Sequence, residues 1–405
     1  MTQPASCTGA ADDAPIEQSP ARRPLDGITV VEIGTSVAAP YAGLVLADLG
    51  ARVVKIENPD GGDYARGWGP PFWDDTSSTF AALNRGKESV TLDLSDVRGR
   101  AALRAMIVGD ADVVVQNLRP GLLEKFGFDV GALRREKPSL IWCDIGAFGS
   151  RGPLHEKPGY DPLAQATAGI MSVTGEPERP PVRVGVSLVD MGSGMWSVIG
   201  VLAQLLGRER TGDGGRIETS LFETALAWMT IPLANYDASG DVPSPQGSGT
   251  QQIVPYQAFR AADAWLMIAA GNDNLFSKLC RVLERPDLAD DDAYATNAGR
   301  VRHRERLIAT LQDTVATFDA GHLAARLDEA GVPNAPLLGV ADVPAHPQTV
   351  ALKMHTPCEG DSLPLMGIPL SFDGVRPRAP ARWPSLGGHN ERWLRTPTAD
   401  QETDE

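Results

Sequence analysis

The sequence of 405 residues lacks the features that mark several classes of protein. Its four cysteines are scattered without CxxC spacing, which indicates neither a disulfide framework nor a zinc site. A reducing compartment, the cytoplasm, fits this use of cysteine. No apolar run reaches the roughly 18 uninterrupted residues of a membrane span. The best candidate, residues 195–206, is interrupted by Gly200 and Gln204.

Basic residues are also few: the sequence has 37 Lys and Arg residues but 52 Asp and Glu residues, which gives a net charge of −15. This balance argues against nucleic acid and anionic membranes as partners. Residues 1–24 lack the apolar stretch of a secretion signal and the arginine content of a transit peptide. We therefore expect residues 1–24 and the acidic residues 398–405 to be disordered tails.

The first ordered segment predicts a strand–helix–strand unit. Residues 25–33 and 52–57 have the pattern of strands, and residues 40–49 that of a helix closed by Gly50. Such a unit predicts an α/β fold with a parallel sheet. The first turn, from Gly34 to Pro40, lacks the GxGxxG pattern of dinucleotide-binding proteins. A nicotinamide-dependent oxidoreductase is therefore the weaker interpretation.

The length predicts two domains, since single cores stop growing at about 250 to 300 residues. Strand and helix patterns alternate as far as residue 220 and predict a large domain with a Rossmann-like parallel sheet over residues 25–220. The pattern then changes, which predicts a smaller α+β domain over residues 221–335, with a pair of strands at residues 256–259 and 264–270 joined by a turn at residues 261–263. Residues 336–397 are predicted to return to the large domain.

Asp190 lies where two patterns meet. Residues 182–189 predict a strand, and the apolar spacing from Met195 onward predicts a helix. A carboxylate before a helix is stabilised by the helix dipole, by about 0.3 to 1 kcal/mol at exposed positions. Gly192 and Gly194 are predicted to leave the backbone bare, so that a substrate can approach the carboxylate. The alternative is that Asp190 is only a helix cap.

Several basic residues follow predicted strands. Arg85, Lys87, Arg119 and Lys125 taken singly are typical surface charges. Ligands of open α/β sheets bind at the carboxyl ends of the strands, so this shared placement favours an anion site. No cluster of metal-ligating residues is indicated, and no metal is expected.

In combination, these segments resemble the family III CoA-transferases, also called the formyl-CoA transferase and carnitine CoA-transferase family, from Leu25 to about His389. The residues that carry the resemblance are Leu25-Asp-Gly-Ile28, Leu49-Gly-Ala-Arg-Val-Val-Lys-Ile-Glu57, Asn84-Arg-Gly-Lys87, Asn117-Leu-Arg-Pro-Gly121, Gly159-Tyr-Asp161 and Asp190-Met-Gly-Ser-Gly194.

The resemblance implies that Asp190 is the nucleophile of a CoA transfer. CoA or acyl-CoA would be a substrate rather than a tightly bound cofactor, and the protein would be an interlocked homodimer. The residues that the resemblance implies for CoA binding are Val37, Ala38, Lys87, Asn117, Leu118, Lys125 and, near the acyl group, Tyr160. Formyl-CoA transferase has a glutamine where this chain has Val37 and an arginine where it has Asn58, so those two roles do not transfer.

Two stretches, residues 249–259 and 270–274, are similar to the branch that contains succinate–hydroxymethylglutarate CoA-transferase. This implies succinyl-CoA as donor and a dicarboxylate as acceptor, with Arg66, Arg151 and Arg183 as candidates for its distal carboxylate. The family's glycine-rich small-domain loop is replaced here by residues 247–252, whose role stays open.

The same superfamily contains α-methylacyl-CoA racemases, which are the main alternative. They have a His-Asp pair where this chain has Tyr160-Asp161. A tyrosine with an ordinary pKa of about 10 is a poor proton shuttle at neutral pH. A catalytically silent CoA-binding protein is a further alternative, which the presence of Asp190 opposes.

Overall fold

The computed structural model describes residues 23–357, 363–379 and 382–394. Most of the predicted amino-terminal tail and all of the acidic tail lie outside these ranges, as do Cys7 and Cys358. The two described cysteines, Cys143 and Cys280, are free and buried.

The first half of the described chain alternates strands and helices. The strands are β1 (Thr29–Ile33), β2 (Arg52–Glu57), β3 (Phe72–Trp73), β4 (Thr76–Ser77), β5 (Glu88–Thr91), β6 (Val113–Gln116), β7 (Ile141–Gly146) and β8 (Arg216–Ser220). The helices are α1 (Ala38–Asp48), α2 (Ser78–Asn84), α3 (Val97–Gly109), α4 (Leu122–Lys125), α5 (Val130–Glu136), α6 (Asp161–Thr167), α7 (Ile170–Val173), α8 (Leu188–Thr211) and α9 (Leu221–Trp228).

Six of these strands form one sheet in the order β5-β2-β1-β6-β7-β8, and every adjacent pair is parallel. The predicted α/β fold with a parallel sheet is therefore confirmed. Apolar side chains on one face pack against α1 and α8, and those on the other face pack against α3 and α5. The strand order reverses between β1 and β6, which makes the carboxyl ends of these two strands the expected ligand crevice.

Residues 254–332 form a second hydrophobic cluster. Its sheet contains β9 (Tyr256–Arg260), β10 (Trp265–Ala269) and β11 (Asn334–Pro336), and β9 and β10 pair as the antiparallel hairpin that the sequence predicts. Helix α10 (Thr230–Ser239) follows α9, and the helices that pack around the small sheet are α11 (Asp273–Val282), α12 (Pro286–Ala289), α13 (Asn297–Arg302), α14 (Arg304–Val315) and α15 (Ala320–Ala330). The predicted domain limits stay predictions.

The last described segments contain α16 (Pro347–Ala351), β12 (His355–Pro357), β13 (Pro364–Met366) and α17 (Asn390–Trp393). They contact the large sheet: Ile368 and Ala379 belong to its core, and Asn390 binds Thr91 at the end of β5. The backbone N–H of Ala379 donates to Asp48, which also forms a fully buried ion pair with Arg85.

Helix α8 differs from its prediction at the start. Residues 182–187 lie outside any strand, and the helix already begins at Leu188, so the predicted strand over residues 182–189 is wrong. The helix is long and apolar enough to cross a membrane by length and composition alone. However, Val189, Val198, Val201 and Leu205 are buried in the sheet core, as in the core helix of a globular domain.

The glycines of α8 allow it to pack closely on two neighbouring helices. An added Cβ at Gly192 would lie 2.9 Å from Thr224 of α9, and one at Gly194 would lie 2.8 Å from the Ala38 carbonyl oxygen of α1. The prediction that these glycines bare the backbone for a substrate is therefore wrong. They are buried, and they bring the start of α8 against the start of α1.

We expect Gly194→Ala to lower the free energy of unfolding by about 1 to 3 kcal/mol, because the methyl group would meet the α1 backbone at Ala38 and Ala42 and the ring of Tyr41. Gly207→Ala is the matched control in the same helix, where an added Cβ has nothing within 4 Å. That change should raise stability by up to about 1 kcal/mol through helix propensity. Urea unfolding at a fixed protein concentration measures both, and equal stabilities of the two variants would contradict the packing role of Gly194.

Candidate functional site

Asp190 is the third residue of α8, and it does not cap that helix. The residue before the helix, Ser187, makes no side-chain cap hydrogen bond. The cap comes instead from Asp161 at the start of α6, whose Oδ2 accepts the N–H groups of Val189 at 2.8 Å and of Asp190 at 3.2 Å. The alternative that Asp190 is a helix cap is therefore excluded.

Within the described residues, no hydrogen bond or ion pair engages the Asp190 carboxylate. Burial raises the pKa of Asp190 to about 7, and the negative charge of Asp161 adds to this shift. An ionised carboxylate at neutral pH is therefore poorly solvated here and has no counter-ion to weaken it as a nucleophile.

The start of α1 lies on the same side of α8 as Asp190. Residues four apart share one helix face, so Asp190 is one turn from Gly194, which contacts Ala38, Tyr41 and Ala42. Two predicted site residues, Val37 and Ala38, are therefore brought to the neighbourhood of Asp190. No side chain in the described part of the chain caps α1, and Val37 and Ala38 are buried. Its first N–H groups are thus left for another acceptor.

The predicted residue Asn117 follows β6, on the other side of the strand-order reversal. Its side-chain oxygen accepts the N–H of Thr35 at 2.9 Å, and its amide nitrogen donates to the carbonyl of Thr35 at 2.9 Å. Asn117 therefore fixes the loop between β1 and α1, residues 34–37, which carries Val37. This was not foreseen, because the sequence shows no link between positions 82 residues apart.

Lys87 is not the surface cation that the sequence predicts. Its ammonium group is buried, lies 2.7 Å from Glu32 and donates to Pro40 O and Asn84 Oδ1, each at 2.8 Å. Burial lowers the pKa of this group. The arrangement does not fit a direct contact between Lys87 and CoA, since the ammonium has three oxygen partners inside the domain. Arg85 is equally unlike a surface charge, because it is fully buried against Asp48.

A cleft of about 520 Å³ lies at the carboxyl ends of β6, β7 and β8. Leu118, a predicted site residue, lines it together with Phe148 and Arg151. Gly159, just before α6, is close to this wall, because an added Cβ would lie 2.9 Å from Ala147 and 3.2 Å from Phe148. The start of α6, with Asp161, is therefore next to the cleft.

The other two predicted site residues are open to solvent. Tyr160 precedes α6 with 60% of its surface exposed, and Lys125 is exposed at the end of α4. Both are accessible to a ligand, and their binding roles stay predictions.

The three candidate arginines have different surroundings. Arg66 is committed elsewhere, because it donates to both oxygens of Glu57 at 2.8 and 2.7 Å and stacks over Phe80. Arg183 is exposed, and within the described ranges it donates only to the carbonyl of Val184, at 3.3 Å. Arg151 is exposed on the cleft. Arg151 is therefore the best placed of the three to bind a carboxylate.

Residues 247–252 are joined to the helices that follow them. Arg304 donates to the carbonyls of Thr250 at 2.6 Å and Gln251 at 2.8 Å, and Asn297 donates to that of Gln252 at 2.7 Å. These contacts restrain the segment that replaces the family's glycine-rich loop.

Sequence reasoning missed three buried charged residues beneath this site, Glu32, Lys55 and Asp63. The sequence pattern could have indicated two of them, Glu32 and Lys55. Strands of parallel sheets are typically continuous apolar runs, and Glu32 and Lys55 interrupt β1 and β2 with charges. Asp63 gave no such signal, because it lies in a Gly- and Pro-rich segment.

Comparison with known proteins agrees with this geometry. An acetyl-CoA:oxalate CoA-transferase from Acetobacter aceti is 38% identical, over 90% of this chain and 95% of the relative. A succinate–glutarate CoA-transferase from Agrobacterium fabrum is 36% identical, over 92% and 95% of the two chains. The crystal structure of a CaiB/BaiF family protein from Brucella suis superposes with a TM-score of 0.82 at 39% identity, covering 92% of this chain and 98% of that chain.

The family comparison covers nearly the whole described chain. Residues 25–390 match CoA-transferase family III, which is the family that the sequence motifs indicate. With named CoA-transferases as relatives over most of its length, the chain belongs to the family III CoA-transferases and is a CoA-transferase.

Proposed function

We propose that this enzyme transfers CoA from a donor acyl-CoA to a dicarboxylic acid, with Asp190 as the nucleophile. The donor that we propose is succinyl-CoA. The observation that carries the proposal is the Asp190 carboxylate itself. It is partly buried, has no partner among the described residues, and lies beside the uncapped start of α1.

The proposed chemistry uses only the carboxylate and the two substrates. Asp190 attacks the thioester carbonyl, the C–S bond breaks, and an acyl–aspartyl anhydride and CoA thiolate form. The thiolate then attacks the aspartyl carbonyl, which releases the donor acid and leaves an aspartyl-CoA thioester. The acceptor carboxylate reverses these two steps and leaves as its CoA thioester. Such covalent catalysis divides one difficult exchange into easier steps.

Two helix starts support the charge that develops in these steps. Asp190 is in the first turn of α8, and among the described residues no side chain caps α1, which begins at Ala38 directly after Val37. Helix amino termini stabilise negative charge. Backbone donors aimed at an oxyanion contribute about 10²- to 10³-fold in rate each, and Val37 and Ala38 are our candidates for that role.

We place CoA across the crevice between β1 and β6. Support comes from the strand order, and from the positions of Val37, Ala38, Asn117 and Leu118 around that crevice. Lys125 and Tyr160 are exposed, and we assign them to the margins of this crevice. Lys87 is buried inside the domain and donates to the Pro40 carbonyl of α1. We therefore assign it to the support of α1 rather than to a contact with the ligand.

The racemase alternative gains no support from the site. It needs two acid/base groups on either side of the substrate α-carbon, and the position of the racemase histidine holds the exposed Tyr160. The named relatives are CoA-transferases.

We propose that the enzyme works as a homodimer in the cytoplasm. Apolar side chains that recur at helical spacing are exposed on one face of α8, namely Met195, Trp196, Ile199, Leu202 and Leu206. Exposed apolar patches of this kind mark protein–protein contacts. The free cysteines Cys143 and Cys280 suit a reducing compartment.

A panel of acyl-CoA donors and carboxylic acids tests the substrate class. We expect succinyl-CoA to donate to glutarate or malate at least about tenfold better than to acetate or formate, since a charged guanidinium that loses its carboxylate partner costs about 1.5 to 3 kcal/mol. Arg151→Met should abolish this preference, and Arg183→Met serves as the matched control. Equal rates with acetate and dicarboxylates would refute the dicarboxylate proposal, and a preference unaffected by Arg151→Met would refute that assignment alone.

The pH dependence tests the state of Asp190. Because the carboxylate and not the acid attacks, kcat/KM should fall about tenfold per pH unit below the raised pKa of about 7 and be flat above it. Asp161→Asn keeps an oxygen for the cap of α8 but removes the negative charge, so the acidic limb should move to lower pH. Asp112→Asn, just before β6 at the amino end of the sheet, is the control. A profile that is the same in all three proteins would contradict the electrostatic role of Asp161.

A further inference from the structure

Four charged side chains are buried together beneath the loop between β1 and α1. Lys55 lies 2.8 Å from Glu32 and 2.9 Å from Asp63, and Lys87 lies 2.7 Å from the other oxygen of Glu32. All four are at most 3% exposed. We call Glu32, Lys55, Asp63 and Lys87 the buried charge network, and its two positive and two negative groups balance.

Three members of the network bind backbone groups of the loop or of the first turn of α1. Lys55 donates to the carbonyl of Gly34 at 2.7 Å, Asp63 accepts the N–H of Ser36 at 2.9 Å, and Lys87 donates to the carbonyl of Pro40 at 2.8 Å. The segment from Gly34 to Pro40 is thus bound at three points by side chains from elsewhere in the chain.

The loop needs such restraint, because its conformation is strained. Ser36 has a φ of +70°, in the left-handed region that favours glycine. A conformation of this kind costs about 1 to 3 kcal/mol and persists only where its surroundings fix it. Asp63 binds the N–H of that same residue.

Stability alone does not account for four buried charges. Replacing a buried ion pair with apolar residues of similar volume is often neutral or stabilising, because desolvation opposes the attraction. Apolar residues, however, could not bind the Gly34 carbonyl or the Ser36 N–H. The network therefore supplies hydrogen bonds to the loop backbone that an apolar core could not supply.

We propose that Lys55 and Asp63 are positioning residues, which hold the strained loop so that Val37 and Ala38 face the acyl-CoA beside Asp190. The proposal rests on the proposed function for the identity of the ligand. Neither side chain touches the substrate, and both act through the backbone of Gly34 and Ser36.

The test removes the contacts while it keeps the charge balance. In Lys55→Met/Asp63→Leu, one charge of each sign and both loop contacts are lost, while Glu32 still pairs with Lys87. In Lys55→Met/Asp63→Asn, an oxygen remains for Ser36. The matched control is Asp48→Leu/Arg85→Met, which removes an equally buried pair near the far end of α1, about 15 Å from Ala38 by helix rise.

We call Lys55→Met/Asp63→Leu the Leu variant and Lys55→Met/Asp63→Asn the Asn variant. For folded protein, we expect the Leu variant to have a kcat/KM for acyl-CoA about 10- to 100-fold below that of the control, since small displacements of binding groups cost this much. The KM for acyl-CoA should rise, whereas a mere loss of folded enzyme would lower kcat and leave KM unchanged. The Asn variant should be intermediate. A Leu variant within about twofold of the control would overturn the proposal.

If the Leu variant does not fold, the proposal is tested with the Asn variant. A KM for acyl-CoA of the Asn variant equal to that of the control would then overturn the proposal. Amide hydrogen exchange at residues 34–39 is a readout that does not depend on activity: it should be faster in both network variants than in the control. Wild-type enzyme that transfers no CoA would refute the proposed function, and unchanged exchange in the loop would then refute the network as well. Active wild-type enzyme with unaffected network variants would refute the network alone.

Discussion

The contact between the starts of α8 and α1 is the feature on which the rest of the site depends. It exists because Gly194 has no side chain, so that the helix backbone can approach the Ala38 carbonyl. The same contact aligns Asp190, one turn earlier, with the loop that carries Val37. Asp161 completes the arrangement, since it accepts the first N–H groups of α8 and leaves the Asp190 carboxylate without a structural role.

Charge is used in two ways around this contact. Glu32, Lys55, Asp63 and Lys87 are buried but paired, and all of them except Glu32 also bind backbone groups of residues 34–40. Asp190 is partly buried, has no side-chain partner among the described residues, and has a pKa that burial raises. Buried charges are therefore paired at the β1–α1 loop, whereas the carboxylate that we propose as the nucleophile is left free to react.

The sequence was enough to predict the parallel sheet, the first strand–helix–strand unit and the β9–β10 hairpin, because apolar periodicity and turn residues are local signals. It failed where partners are distant along the chain. Residues 182–189 have a strand pattern but no neighbouring strand to pair with. Lys87 resembled a surface cation because its partner Glu32 is 55 positions away. The sequence correctly drew attention to Gly192 and Gly194. These positions require glycine because neighbouring helices pack closely against them, which only the structure shows.

Covalent trapping tests the central claim, that Asp190 is the nucleophile, most directly. Wild-type enzyme given acyl-CoA and then hydroxylamine should carry a hydroxamate on the peptide that contains Asp190, detected by its mass. The Asp190→Asn variant should bind CoA, lack this label and lose turnover by several orders of magnitude, because an amide oxygen is a far weaker nucleophile than a carboxylate. A label on Asp161 or Asp144 instead, or near-normal turnover of the Asp190→Asn variant, would contradict the account.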